Sequence, residues 1–279
     1  MKVGAVLLVT LLLVGSLSGI ARAGYTQPPG LVGYWNFDQG SGTIAQDGSG
    51  YNNQGTIYGA SWTSGKVNGA LNFNGLNNYV DCGNNEILDP VQGATIEAWV
   101  YFNQLPSVAN HIMAIAGRSG NGRDLDLQTE TDNRFKFYVG PGVPNVAVSN
   151  TVVETNKWYH IVGTYLANNY IKIYVNGVLE KTTLISITRN TNGDRFFIGQ
   201  SCVFPGRFFN GIIDEVKIYN RALSAEEVVA EYTQSHALSP PILSSSNEVT
   251  GEPVEATGPA GAVPANTTVQ LYWDTTTGA

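Results

Sequence analysis

Residues 208–224 read FFNGIIDEVKIYNRALS, and this stretch determines the fold more than any other part of the chain. It has the pattern of a long strand that is followed by a turn and a helix start. Strict alternation along the strand places Asp214 on one face with Ile212 and Val216, and places Glu215 on the other. A carboxylate on an apolar face is costly to bury unless it is hydrogen-bonded, ion-paired or bound to a metal. Asp214 is therefore the first candidate site residue.

Short runs of period-two alternation recur before this stretch and predict an antiparallel sheet structure. Asn176-Gly177 tolerates the positive φ of a type I′ turn and predicts a tight hairpin. One helix is predicted, over 224–232, because Ser224 and Glu227 form a capping box. The fold class is therefore all-β, an antiparallel β-sandwich (jelly roll) with one short C-terminal helix. The predicted strands are 31–37, 70–73, 79–82, 94–102, 111–116, 124–128, 134–139, 158–165, 170–175, 178–183, 195–199 and 209–219.

The N-terminus predicts export. Lys2 precedes an apolar run, and Ala21-Arg22-Ala23 supplies the small residues of a cleavage site, so residues 1–23 are interpreted as a signal peptide. The predicted location is secreted or cell surface, extracellular or periplasmic. No later segment approaches transmembrane length.

Three parts are expected after the signal. Residues 25–235 form the β domain, and residues 236–265 are a Pro-, Ser- and Gly-rich linker. Residues 266–279 begin a further β domain with one strand that cannot bury its aromatics alone. We therefore expect a longer, multi-domain protein.

Charge excludes some partners. The chain has a formal charge of −7, and loss of Lys2 and Arg22 with the signal makes it −9. An acidic protein without a basic cluster is a poor candidate for binding nucleic acid or an anionic membrane. The two cysteines, Cys82 and Cys202, are compatible with a disulfide in an oxidising compartment and nearly as well with two buried thiols.

Several segments together resemble a known family. Gly33-Tyr34-Trp35-Asn36-Phe37-Asp38, residues 69–75 and residues 95–100 occur in the order found in laminin-G-like jelly-roll domains. Residues 157–165, residues 173–177 and the Gly211–Ser224 stretch continue that order to residue 232. The resemblance implies the concanavalin A-like lectin/glucanase architecture, which hosts lectins, adhesion modules and hydrolases.

A calcium site is the first functional expectation. Asp38, Asp47 and Asn53 lie in Gly- and Asn-rich loops and offer the hard oxygen donors that Ca²⁺ prefers. The alternative is that residues 47–53 only form a turn. The resemblance implies one structural Ca²⁺ that joins the loop after the first strand to the last strand, near Asp38, Asp47, Asn53 and Asp214.

Catalysis is not expected. The glucanase motif Glu-x-Asp-x-x-Glu is absent, because Ile212 and Lys217 stand where flanking carboxylates are required. No Gly-x-Ser-x-Gly elbow is present. Asp124 and Asp126 share one strand face, but a solvated face explains that pair equally well. His160 is interpreted as a structural histidine, since the three histidines have no metal-ligand spacing.

Binding is the preferred function. Carbohydrate sites combine exposed aromatics with polar side chains, and the candidate ligand-binding residues are Phe204, Arg118 and Arg207, in loops at 117–123 and 201–207. Loops 101–110 and 140–150 offer a similar mixture, whereas Trp35, Trp99 and Trp158 are interpreted as core. We expect a secreted, non-catalytic module that binds a glycan or surface polysaccharide. The alternatives are binding of an extracellular protein as an adhesion or architectural module, and service as the targeting accessory of a secreted carbohydrate-active enzyme.

Overall fold

A computed structural model describes residues 26–118, 125–140, 145–191, 193–201 and 206–237, with side chains to residue 235. The described residues form two eight-stranded antiparallel sheets, which confirms the predicted β-sandwich. The signal peptide, Phe204, Cys202, Asp124 and nearly all of the segment after residue 235 lie outside the described residues.

The first sheet, called sheet 1, has the order β14-β13-β12-β7-β16-β5-β4, and β1 also pairs with β16. Sheet 2 has the order β11-β10-β9-β8-β15-β6-β3-β2. The strands are β1 Leu31–Trp35, β2 Ile44–Ala45, β3 Gly55–Tyr58, β4 Ser61–Ser64, β5 Gly69–Asn74, β6 Tyr79–Asp81, β7 Gly93–Phe102, β8 Met113–Arg118, β9 Leu125–Thr129, β10 Arg134–Val139, β11 Val146–Val152, β12 Trp158–Leu166, β13 Tyr170–Val175, β14 Val178–Leu184, β15 Phe196–Ile198 and β16 Asn210–Tyr219. The helices are a one-turn α1, Pro106–Ala109, a 3-10 turn, Glu86–Leu88, and α2, Ala225–Ala237.

The core lies between the two sheets. Phe102 of sheet 1 meets Phe135 of sheet 2 with ring centroids 6.0 Å apart, and Trp35 stacks on Phe196 at 5.4 Å. The approach is close enough at Gly163 that a Cβ there would lie 2.3 Å from the Phe137 ring. Glycine at this position therefore lets the sheets come together.

Local sequence signals are confirmed at two turns. Asn176 and Gly177 have φ of +51° and +78° and join β13 to β14, with Val175 opposite Val178. At the helix start, the Glu227 N–H donates to Ser224 Oγ, while the Ser224 N–H donates to the Glu227 carboxylate. Both are the predicted geometries.

Four strands were missed by the sequence analysis. β2, β3 and β4 are at most four residues long, too short to show a period. β11 occupies the second half of 140–150, which was wrongly interpreted as a loop. The single-helix prediction was also incomplete, since α1 and the 3-10 turn are present, and α2 extends to Ala237.

The prediction that side chains alternate strictly along β16 is wrong, because a bulge interrupts the strand. The register with β7 shifts between Asp214 and Lys217, and Glu215 has φ +51°. Ile213 and Val216 both reach the core, although residues three positions apart would lie on opposite faces of a regular strand. From Val216 onward, each side chain therefore lies on the face opposite to the predicted one. Asp214 consequently does not share its face with Val216.

Helix α2 covers part of the outer face of sheet 1. Its Tyr232 stacks on Trp99 at 5.7 Å, and its Val228 joins a small apolar cluster with Tyr174 and Tyr219 of the sheet. Trp99 is thus buried, as predicted, but under the helix and not between the two sheets. Within the described residues, no helix has the length and apolarity needed to cross a membrane.

Candidate functional site

The predicted calcium ligands fall into two groups. Asp47 lies in a turn where Oδ1 accepts from the N–H groups of Tyr34 and Ser49, and Oδ2 accepts from the Asn53 N–H at 2.8 Å and from the Ser49 hydroxyl. The Asn53 side chain donates to the Val32 carbonyl at 2.8 Å. Four hydrogen bonds occupy the acceptor sites of Asp47, so Asp47 and Asn53 hold this turn.

Asp38 and Asp214 lie on either side of the loop at residues 64–69. Asp38 Oδ1 accepts from the Gly69 N–H at 3.0 Å, and Asp214 Oδ2 accepts from the Val67 N–H at 2.9 Å. Asp38 is exposed, whereas Asp214 is fully buried. The structure therefore brings these two together around one loop but holds Asp47 and Asn53 in a separate turn.

The surroundings of Asp214 disfavour the charged form of its carboxylate. Burial, followed by repulsion from the neighbouring Glu215, raises its pKa well above the usual value. The N–H groups of Val67 and Glu215 lower the pKa in part, and Asp38 raises it further. Glu215 is itself buried, and both its oxygens accept from the Tyr34 hydroxyl. Among the described residues, no group of three or more His, Cys, Asp or Glu side chains is placed to hold a metal.

Arg118 lies in the interior, contrary to the expected loop surface. Its side chain is fully buried, with Nε 3.5 Å from Asp89 Oδ2 and Nη1 donating to the Asn85 carbonyl at 3.3 Å. Asp89 also pairs with the buried Arg189, so one carboxylate faces two guanidinium groups. The guanidinium of Arg118 therefore lies in the interior, paired with Asp89, and does not face solvent.

The other predicted residues are less informative. Arg207 is partly buried, and its carbonyl accepts from the Ala114 N–H of β8 at 3.4 Å. Cys82 is a buried thiol whose pKa is raised well above the usual value, first by burial. Because its predicted partner Cys202 lies outside the described residues, the disulfide stays a prediction.

The sequence analysis missed an aromatic cluster on the outer face of sheet 2. Tyr58 of β3 and Tyr79 of β6 are register partners whose rings stack at 4.6 Å, and Phe197 of β15 meets Tyr79 edge-on at 5.8 Å. Tyr58 is 45 % exposed. These three residues are called the aromatic platform. Their alternation with the buried Ile57, Val80 and Ile198 was the available signal.

A charged pair borders the aromatic platform. The Nε of Arg195, half of whose side chain is exposed, donates to both oxygens of Asp81 at 2.8 Å. Asp81 lies opposite Phe197 in the register of β6 and β15. Burial, Tyr58 and Asp81 raise the pKa of Tyr79, and Arg195 opposes this shift. Its phenol is protonated at neutral pH, as a tyrosine ordinarily is, and can donate a hydrogen bond. The arrangement offers an apolar surface with hydroxyl, guanidinium and carboxylate groups at its rim.

Several solved structures share the fold, and three of them illustrate it. Domain 4 of AbnA, a GH43 extracellular arabinanase from Geobacillus stearothermophilus, in complex with arabinotriose, matches with a TM-score of 0.56 and 20 % identity over 71 % of this chain and 96 % of that chain. The binding domain of Paraclostridial Mosquitocidal Protein 1 matches with 0.60 and 16 %, over 74 % of this chain and 52 % of that chain. Trypanosoma rangeli sialidase in complex with sialic acid matches with 0.58 and 19 %, over 77 % of this chain and 35 % of that chain. The chain thus spans about half of the second structure and about a third of the third.

The sequence comparisons identify the family. No curated protein matches the chain closely enough to count as a relative. A family model for Laminin_G_3, described as concanavalin A-like lectin/glucanases superfamily, matches residues 73–229, more than half of the 279 residues. The resemblance found in the sequence is therefore confirmed: this chain belongs to the Laminin_G_3 family of the concanavalin A-like lectin/glucanase superfamily.

Proposed function

We propose that this chain is a non-catalytic carbohydrate-binding module of an exported protein. The observation that carries the proposal is the aromatic platform of Tyr58, Tyr79 and Phe197 on the outer face of sheet 2. Sugar rings have apolar faces that pack on aromatic side chains, while their hydroxyl groups require hydrogen-bond partners. The Tyr79 phenol and the Arg195–Asp81 pair supply such partners at the rim.

The comparisons support the same class of ligand. A domain of similar fold was solved with arabinotriose, and a further neighbour with sialic acid. The first of these is one domain of an arabinanase, which favours the role of a targeting accessory within a larger enzyme as the second candidate function. The binding chemistry of the module is the same in both cases.

The absence of catalysis by this domain is part of the proposal. Asp214 and Glu215, the carboxylate pair in the last strand, are 0 % and 3 % exposed. Asp214 accepts from backbone N–H groups, and Glu215 accepts from Tyr34. Glycoside hydrolysis needs two carboxyl groups that flank a bound sugar linkage. Side chains so enclosed do not reach a substrate.

A glycan array tests the binding function. The wild-type domain is expected to bind a selective set of glycans, and Tyr58→Ala is expected to weaken that binding about tenfold, because truncation of a central aromatic anchor commonly costs at least that much. Tyr51→Ala is the matched control, since Tyr51 is similarly exposed but lies in a loop away from the aromatic platform. An array on which the wild type binds nothing would instead favour a protein-binding adhesion module.

Export is the second part of the proposal. It rests on the tripartite pattern of residues 1–23. Expression of the full chain in a secreting host is expected to give a mature protein that begins at Gly24, which N-terminal sequencing of the medium or periplasm measures. Retention of Lys2 in the exported protein would contradict cleavage.

We also propose one structural calcium ion beside the 64–69 loop. The support is the buried Asp214 carboxylate, whose charge is opposed by Glu215 and Asp38. Oxygen donors of this kind fit Ca²⁺. Asp38 and Asp214 would hold the ion, and its positive charge would offset the repulsion among the carboxylates. The ion would thereby connect β16 to the segments that follow β1 and precede β5.

A further inference from the structure

A second aromatic surface lies on the opposite side of the sandwich. Tyr101 of β7 and Trp158 of β12 are register partners on the outer face of sheet 1, and their ring centroids are 5.5 Å apart. Both are partly exposed, and neither belongs to the inter-sheet core, so the interpretation of Trp158 as core was wrong. Helix α2 covers Trp99, the next outward residue of β7, and leaves this pair accessible.

Side-chain amides surround the two rings. The Tyr101 hydroxyl donates to Asn156 Oδ1 at 3.2 Å, and Asn103 Nδ2 donates to Asn72 Oδ1 at 3.1 Å. Asn103 and Asn156 are exposed, and Asn72 is partly exposed. We use the name amide–aromatic patch for five residues: Tyr101, Trp158, Asn72, Asn103 and Asn156.

The register explains why the patch is continuous. Asn72 of β5 lies opposite Ile212 of β16, which lies opposite Tyr101, which lies opposite Trp158. Four adjacent strands thus direct one side chain each to the same face in a single row across the sheet. Such a row is long enough to contact more than one sugar ring.

The chemistry of the amide–aromatic patch selects a neutral ligand. Each carboxamide has donor and acceptor capacity beyond the one bond it makes here, and so matches sugar hydroxyl groups, which both donate and accept. The neighbouring Lys157 is paired with Glu154 at 3.2 Å, so these two side chains add no net charge. An anionic or cationic ligand would find no complementary charge among the five residues of the patch.

We propose that the amide–aromatic patch is a second carbohydrate site, which takes a neutral oligosaccharide or polysaccharide segment. This inference rests on the proposed carbohydrate-binding function and adds a second site to it. The two sites lie on the outer faces of sheets packed roughly 10 Å apart, so they face away from each other. Two separate glycan chains would therefore be held at once, and the module would cross-link a polysaccharide.

Affinity gels containing soluble arabinan, arabinoxylan, mixed-linkage β-glucan or galactomannan test the second site. Wild type is expected to be retarded by at least one of them. Trp158→Ala and Tyr58→Ala should each weaken retardation about tenfold, and the double variant should abolish it. Trp158→Phe keeps a ring and should retain most of the binding, and Tyr51→Ala is the control away from both sites. Thermal unfolding of each variant verifies the fold.

Cross-linking gives an independent result. Light scattering of the retarding polysaccharide should rise when wild type is added and stay flat with either single variant, because one remaining site cannot bridge two chains. Retardation of Trp158→Ala equal to that of wild type, with Tyr58→Ala abolishing it, would overturn the second site and leave the proposed function intact. Absence of wild-type retardation by every polysaccharide would overturn the second site, whereas the glycan array decides the proposed function separately.

Discussion

Replacement of Lys217 by methionine is expected to lower the free energy of unfolding by about 3–5 kcal/mol, as the loss of one partner from a buried ion pair typically does. The Nζ of Lys217 lies 2.9 Å from Glu97 Oε1 and 2.6 Å from Glu231 Oε2. All three side chains are at most 2 % exposed. The variant would leave two buried carboxylates without their cation and would loosen the attachment of α2, which carries Glu231, to sheet 1.

The pH dependence gives this prediction a distinctive signature. Burial alone would raise the pKa of Glu97, but attraction to Lys217 and a contribution from His160 lower it to about 2. A carboxylate with a lowered folded pKa adds stability that is present above its unfolded pKa of 4.5 and is lost as the pH falls towards 2. The difference in stability between wild type and Lys217→Met should therefore narrow as the pH falls through this window.

Urea unfolding at pH 7 and at several acidic values measures both effects. Lys181→Met is the matched control, because Lys181 is exposed on β14, and its loss should change stability by no more than about 0.5 kcal/mol. A loss below about 1 kcal/mol for Lys217→Met would contradict the role of the buried ion network in holding α2. The folded pKa of Lys217 is raised well above 10.5 by Glu97 and other nearby acidic groups, despite an opposing effect of burial, so its own contribution persists at neutral pH.

Calcium is expected to raise the melting temperature of the 24–235 domain. An ion at a hundredfold excess over its dissociation constant stabilises the folded state by about 2.7 kcal/mol. For a domain of this length, that is about 5–10 °C. The physical reason is that burial first, and then repulsion from Glu215 and Asp38, raise the pKa of Asp214, and a bound cation would offset both effects. Thermal unfolding in EDTA and in millimolar CaCl₂ measures the shift.

Variants locate the calcium site. Asp214→Asn should abolish the calcium shift, whereas Asp132→Asn, in the β9–β10 turn of sheet 2, should keep it. Asp47→Ala would not locate the site, because Asp47 makes four hydrogen bonds and its loss would destabilise the turn whether or not calcium binds. An equal melting temperature with and without calcium in the wild type would exclude the ion.

Local sequence signals predicted much of the fold. The Asn176-Gly177 turn and the Ser224–Glu227 cap depend on a few neighbouring residues and were both confirmed. The proposed binding surfaces were harder to predict. Tyr58 and Tyr79 are twenty-one positions apart, and only the pairing of β3 with β6 stacks their rings. Trp158 was assigned to the core because an aromatic in a strand is usually buried, and only the sheet orientation shows that it faces outward.

The sequence by itself determined the family and the sandwich architecture, because alternation and turn residues act over short distances along the chain. The tertiary structure decided which face each side chain occupies. One bulge at Asp214 and Glu215 reverses the alternation of β16 and places Val216 on the face opposite to Asp214. The pairing of Arg118 with Asp89 holds a predicted ligand-binding residue in the interior. Such outcomes depend on register and on partners distant in sequence, and the order of residues in one strand does not specify either of them.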